Sequence, residues 1–285
     1  MSVLLCMWII TCAVGCEPAL PSSPAPPAAG ATQRVVSLSP AITSTIVALG
    51  AGDALVGRTP WCRSVSSQIA VAWDGVSVDA ERMIALRPTL IVFQDTMSGG
   101  PRDEVARLSQ AHRWRVGSWR LDRLSEVRDM IHALAQSLGA SSVQTAVDLL
   151  QRFDEACTPD ANAIAVGPTL LLFATDPPMA FGPGSYVDDI WRALGGRNAV
   201  TTGAYPELTV EEMVRIDPAW VVVVGPDRLL DAARRLPVAA LREGRVSQAA
   251  DPGLLEPGAA VIPAIEAMRR DLAERRASGA TVVPR

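Results

Sequence analysis

Two glutamates are the ionisable residues whose placement carries the most information. Glu81 opens the stretch Glu81-Arg-Met-Ile-Ala-Leu-Arg-Pro88-Thr-Leu-Ile-Val-Phe93, and Glu211 opens Glu211-Glu-Met-Val-Arg-Ile-Asp-Pro218-Ala-Trp-Val-Val-Val223. Each Glu precedes a Pro by seven residues, a Met lies two after it, and an apolar run follows the Pro. Proline lacks a donor N–H and biases its predecessor away from the helical region, so it stops a helix. Thr209 with Glu212 three residues on is a capping box. That occupies Glu212 locally and leaves Glu211 pointing outward. By the repeat, Asp79 caps the first helix and Glu81 is the counterpart of Glu211. An acid at a helix start gains about 0.3–1 kcal/mol from the macrodipole, which is enough to explain one such residue. The same position in both halves supports a second chemistry: a symmetric pair of carboxylates that accept arginines from a two-fold partner.

Flat rings form the other constellation. Trp61 lies in Thr59-Pro-Trp-Cys-Arg63, Trp73 in Ala72-Trp-Asp-Gly75, and Tyr205 in Ala204-Tyr-Pro206. Phe93 ends an apolar run, and Phe181 lies in the Pro- and Gly-rich turn from Pro177 to Gly184. Aromatics make up only 5% of the chain, so five on loops or strand ends suggest a large, flat, partly apolar ligand. Trp191 and Trp220 stand in helical and strand context and read as core. Asp188-Asp189 are helical neighbours that face different ways, and read as solvated surface.

Other chemistries find no support. A net charge of -4 gives no basic footprint for nucleic acid. All basic side chains are Arg. His112 and His132 lack metal-ligand spacing, so neither a metal site nor a cofactor is expected. No phosphate-binding loop, dinucleotide glycine pattern or nucleophile elbow occurs.

The elements that hold these residues alternate. Arg34 to Leu38, Leu90 to Phe93 and the neighbourhood of Arg115 read as strands, as do Thr169 to Phe173 and Trp220 to Val224. Helices are expected after Ser39-Pro40 and over Tyr186 to Leu194, and a long helical region runs from Leu121 to Cys157 with a break near Gly139. Ala48-Leu49-Gly50 and Ala193-Leu194-Gly195 each end a helix with Gly. The expected fold is α/β: two Rossmann-like lobes with mainly parallel sheets, joined by one long rigid helix, with a cleft between them. Ligands of such sheets bind at the carboxyl ends of the strands.

The N-terminus predicts export. Val3 to Val14 is apolar but shorter than the roughly 20 residues of a membrane span, and it ends in Ala13-Val14-Gly15-Cys16. This resembles a bacterial lipobox, with Cys16 as the lipidated mature N-terminus. Residues 1–15 are then a signal peptide and 16–33 a Pro-, Ala- and Ser-rich tether. The N-terminal lobe spans 34–140, the connecting helix 141–158 and the C-terminal lobe 159–285. Cys6 and Cys12 leave with the signal. Cys62 and Cys157 remain, either as a disulfide or as two thiols.

In order and spacing, Arg34 to Pro40, Val56-Gly57, Glu81 to Val92, Leu194 to Asn198, Glu211 to Val224 and Asp251-Pro-Gly resemble the substrate-binding proteins of cobalamin and iron–siderophore ABC importers. The resemblance covers most of the chain after residue 33. It implies a non-enzymatic, monomeric, exported lipoprotein facing the periplasm or cell exterior. Glu81 and Glu211 would dock on a permease dimer coupled to its ATPase. The bound ligand would be cobalamin or another corrinoid, with iron–siderophore or haem as alternatives. Trp61, Trp73 and Tyr205 match the corrinoid-contacting positions, and Phe93, Phe181 and Asp251 complete the expected cleft. Members of this group often carry an Arg after the last strand. Here Asp251 to Gly258 has none, so Arg58 or Arg63 is the candidate to replace it. A scavenging or sensing lipoprotein without an importer stays open. An enzyme such as a chelatase would need clustered Cys or His ligands or a nucleotide loop, and neither is seen.

Overall fold

The structure is a computed structural model that describes residues 33–96 and 100–278. The expected signal, tether and Cys16 lie outside these residues. The first sheet contains β1 (Val35–Ser37), β2 (Leu55–Arg58), β3 (Ala70–Val71), β4 (Leu90–Gln94) and β5 (Arg115–Trp119), in the order β3-β2-β1-β4-β5. Every pairing in it is parallel. Helices α1 (Pro40–Ala48), α2 (Ala80–Leu86) and α3 (Arg102–His112) connect these strands.

Two long helices follow, α4 (Leu124–Leu138) and α5 (Ala140–Ala156). Gly139 alone separates them, at φ 119, where a side chain would be strained. The helices fold back on one another, and Arg128 pairs with Asp154 near their far ends. The link between the sheets is therefore a helical hairpin, broken where the sequence placed the break.

The second sheet is built from β6 (Pro168–Thr175), β7 (Pro178–Ala180), β8 (Arg197–Asn198), β9 (Trp220–Val224) and β10 (Val246–Ala249). Its order is β10-β9-β6-β7, with β8 alongside the start of β6, and only β7 runs antiparallel. Its helices are α6 (Ala161–Ala165), α7 (Tyr186–Ala193), α8 (Val210–Ile216), α9 (Asp227–Ala233), α10 (Ala239–Arg242) and the closing α11 (Val261–Ala277).

The internal repeat holds in detail. Asp79 caps α2 by accepting from the Arg82 N–H, and Thr209 caps α8 by accepting from the Glu212 N–H. Met83 and Met213 are both fully buried. Arg87 and Asp217 close the two helices in the left-handed region, at φ 47 and φ 44. Pro88 and Pro218, both buried, then lead into β4 and β9.

Strand parity divides the core. Leu90 and Val92 face one way and join Leu171, Trp220 and Val222 of the second sheet in a single buried cluster with α4, α5 and α11. Ile91 and Phe93 face the other way, into a separate cluster with Val105 and Leu108. The two lobes thus share one helical layer. They also touch directly, where the Ala259 N–H donates to Thr45 Oγ1 at 3.0 Å. A Cβ on Gly258 would stand 2.5 Å from the Ala41 carbonyl oxygen and 2.6 Å from Thr45 Oγ1. Gly258→Ala is therefore expected to destabilise the protein by about 1–3 kcal/mol through overpacking, seen as a lower urea midpoint with an unchanged slope.

Candidate functional site

The candidate site comprises the loops at the carboxyl ends of both sheets. In the first lobe, β2 ends at Arg58, whose buried guanidinium donates to the carbonyls of Thr59, Ser67 and Ile69 at 2.8–3.1 Å. Arg58 fastens the base of the 59–69 loop, so it is not available to replace the missing ligand arginine. Cys62 is buried beneath the loop, with Thr43 Oγ1 at 3.1 Å and Thr59 Oγ1 at 3.2 Å. Cys157 is a second free thiol, so the two cysteines are not paired. Burial pushes the Cys157 thiol up to about 11.

Trp61 leaves this loop 49% exposed. Its ring covers Gly75 so closely that a Cβ there would meet Cη2 at 2.5 Å. Asp74 Oδ1 accepts from the N–H groups of Val76 and Ser77, both at 2.9 Å. These bonds shape the adjoining turn and hold the Asp74 carboxyl below its usual range. Trp73 is half-buried, bridged to Val78 and packed on the first-lobe core. Phe93 is 1% exposed. Its place on β4 turns the ring into that core, which corrects the expectation that it faces the cleft. It borders a small cavity of about 200 Å³ beside the Asp95–Arg102 ion pair.

In the second lobe Phe181 is also buried and forms the base of an aromatic cluster. Its ring centroid lies 4.4 Å from Phe173 and 6.0 Å from Tyr205. Tyr205 is the outer ring of the cluster, 41% exposed. The chain on either side of it is fixed by the Gly182 N–H donating to the Ala204 carbonyl at 2.8 Å and the Ala180 N–H to the Pro206 carbonyl at 3.1 Å. Partial burial raises the Tyr205 hydroxyl, and the negative charges of Asp122 and Glu126 add to the shift. Arg120 pairs with Asp122 just before the start of α4.

Asp251 Oδ1 accepts from the Gly253 N–H at 2.8 Å and caps the turn over Pro252–Leu255. Its next neighbours on the rim are Leu255, an exposed apolar side chain, and Glu256. Burial raises the Glu256 carboxyl, the positive charge of Arg63 opposes this, and Asp251 adds to the rise. The candidate loops also carry Arg120, Leu255 and Glu256, which sequence reading did not single out. An apolar residue inside a Pro–Gly turn after the last strand was the available signal for Leu255.

Asp188 and Asp189 are not solvated surface. Asp188 is 1% exposed and accepts from Arg192 Nε and Asn198 Nδ2, both at 2.7 Å. Asp189 takes a bidentate pair from Arg123, at 2.7 and 2.6 Å, and accepts from the Leu124 N–H at 3.0 Å. A second-lobe carboxylate thus caps α4.

Glu81 and Glu211 are exposed and make no hydrogen bond or ion pair among the described residues. Their neighbours are occupied: Arg82 pairs with Asp79, and Glu212 with Thr209 and Arg215. His112 stacks on Trp114 and His132 contacts Gln136.

Two separate parallel sheets, a shared helical layer and facing loops at their strand ends describe a two-lobed binding protein. The chain belongs to the family described as periplasmic binding protein, which it matches over residues 35–265. It is 26% identical over 220 residues to a "Vitamin B12-binding protein" of Yersinia pestis, covering 71% of this chain and 73% of that one. The fold is that of the vitamin B12 binding protein BtuF of Vibrio cholerae, with a TM-score of 0.67 at 20% identity, over 86% of this chain and 98% of the other. It is equally that of the heme binding protein HutB of Vibrio cholerae, with a TM-score of 0.69 at 20% identity, over 84% and 98%.

Proposed function

We propose that the protein captures cobalamin or a related corrinoid between its lobes and delivers it to an ABC permease dimer, held at the membrane by lipid on Cys16. The ligand class is supported by two exposed rings, Trp61 on a loop of the first lobe and Tyr205 on a loop of the second. Broad flat side chains bury a large, partly apolar chelate at low entropic cost. Trp73, Phe181 and Asp251 support these rings and the turn beside them. The role is that of a carrier, without catalysis.

Haem is the second reading, favoured by the likeness to HutB. A haem iron takes an axial ligand such as His, Cys, Met or Tyr. Among the described rim residues considered above, Tyr205 is the one exposed side chain of that kind. A corrinoid brings its own metal and axial groups and needs none. The test titrates purified protein with cyanocobalamin, haemin and ferric siderophores, following tryptophan fluorescence. Cyanocobalamin is expected to quench at micromolar concentration or below, and Tyr205→Phe to weaken it by about tenfold at most. Absence of quenching by cyanocobalamin overturns the corrinoid assignment. A haem absorption shift that Tyr205→Phe abolishes would establish the haem reading instead.

A further inference from the structure

We propose that Ile84 and Val214 are the apolar anchors of the permease-docking surface, each seated beside its glutamate in a socket next to a partner arginine. The inference rests on the docking roles proposed for Glu81 and Glu211. Ile84 is 42% exposed and Val214 51% exposed. Each follows its glutamate by three residues, which puts acid and branched side chain on one helical face. Met83 and Met213, both fully buried, hold the opposite faces of α2 and α8 to their sheets. The caps and left-handed C-termini fix both helices in the same way.

Comparison of the two halves singles out these positions. At the other exposed sites the repeat changes chemistry: Arg82 corresponds to Glu212, Ala85 to Arg215, and Arg87 to Asp217. Acid is kept at 81 and 211, and a branched aliphatic at 84 and 214. An exposed Ile or Val adds little to the core, so folding alone does not account for keeping it twice. The pattern fits a partner that is itself two-fold, offering twice a cation beside an apolar hollow. A second copy of this chain is the competing occupant, and the test below reads it separately.

The test measures binding of the full-length protein to its cognate permease–ATPase complex in nanodiscs. Ile84→Ser with Val214→Ser is compared with Glu81→Gln with Glu211→Gln. The serine pair is expected to weaken docking by about a hundredfold, roughly tenfold per site. That loss should be the same at low and high salt, whereas the glutamine pair should lose most at low salt, where charges are unscreened. If the serine pair docks within about twofold of wild type and the glutamine pair does not, the anchors are refuted and glutamate docking stands. If neither pair is impaired, both fail. If the serine pair instead abolishes self-association of the wild-type chain in sedimentation, the occupant is a second copy and the proposal is overturned.

Discussion

Cells carrying Glu81→Ala together with Glu211→Ala are expected to take up corrinoid at least about a hundredfold more slowly, while the purified variant binds ligand as before. Truncating one partner of a desolvated charge pair costs about 2–5 kcal/mol, largely because the other charge is left unpaired. Two such losses in one interface exceed a hundredfold even without full additivity. Ligand affinity should be untouched, since both acids lie on α2 and α8 and neither contacts the rim rings through any described bond. The folded protein should lose no more than the helix-dipole contribution of about 0.3–1 kcal/mol per site, because neither carboxylate has a partner within the chain among the described residues. Radiolabelled uptake beside fluorescence titration separates the two effects. Uptake at wild-type rate would remove the docking role.

Asp188→Ala should produce the largest loss of stability. Its buried carboxylate joins α7 to β8 through Asn198, and Asn198 Nδ2 also donates to the Phe181 carbonyl at 2.8 Å. Removing one member of such a buried, charge-assisted group typically costs about 3–5 kcal/mol. Arg192 is half exposed and can turn to water, which places the expected loss near the lower bound, about 3 kcal/mol. Urea denaturation followed by tryptophan fluorescence reads it, because Trp191 and Trp220 are buried in the same lobe. A midpoint unchanged from wild type would show that the network is not cooperative. Tyr205 should also lose its support, because Phe181 beneath it is tied to Asn198.

The repeat, the helix stops and the caps were legible in the sequence because they are local. A Pro seven residues after a Glu, or a Thr three before one, acts within a single turn of helix. The two-lobed architecture followed from that repetition. What could not be read was which side of a strand faces what. Phe93 ends a strand at the ligand side of the sheet, yet its position in the alternation turns it inward, and that parity depends on where α3 packs. Asp188 looked like surface because its partner Asn198, which also donates to the Phe181 carbonyl, meets it only after the chain has turned back. Arg58 looked free for the same reason, since the carbonyls it binds belong to a loop whose path is set by folding. Trp61 and Tyr205 stood out as rings on loops, but their unequal neighbours, a glycine under one and edge-to-face phenylalanines beside the other, are tertiary facts. The N-terminal export reading concerns residues outside the described structure and remains a proposal resting on Cys16 and its preceding residues.

The shared layer of α4, α5 and α11 has a bearing on selectivity. Wide opening of the mouth would part the Arg123–Asp189 ion pair and the Ala259–Thr45 hydrogen bond, both of which join the lobes. The entrance is thereby held near one width, so a solute must bring the right outline with it. A carrier so built would discriminate by the rigid contour of the guest more than by any grasping of its own.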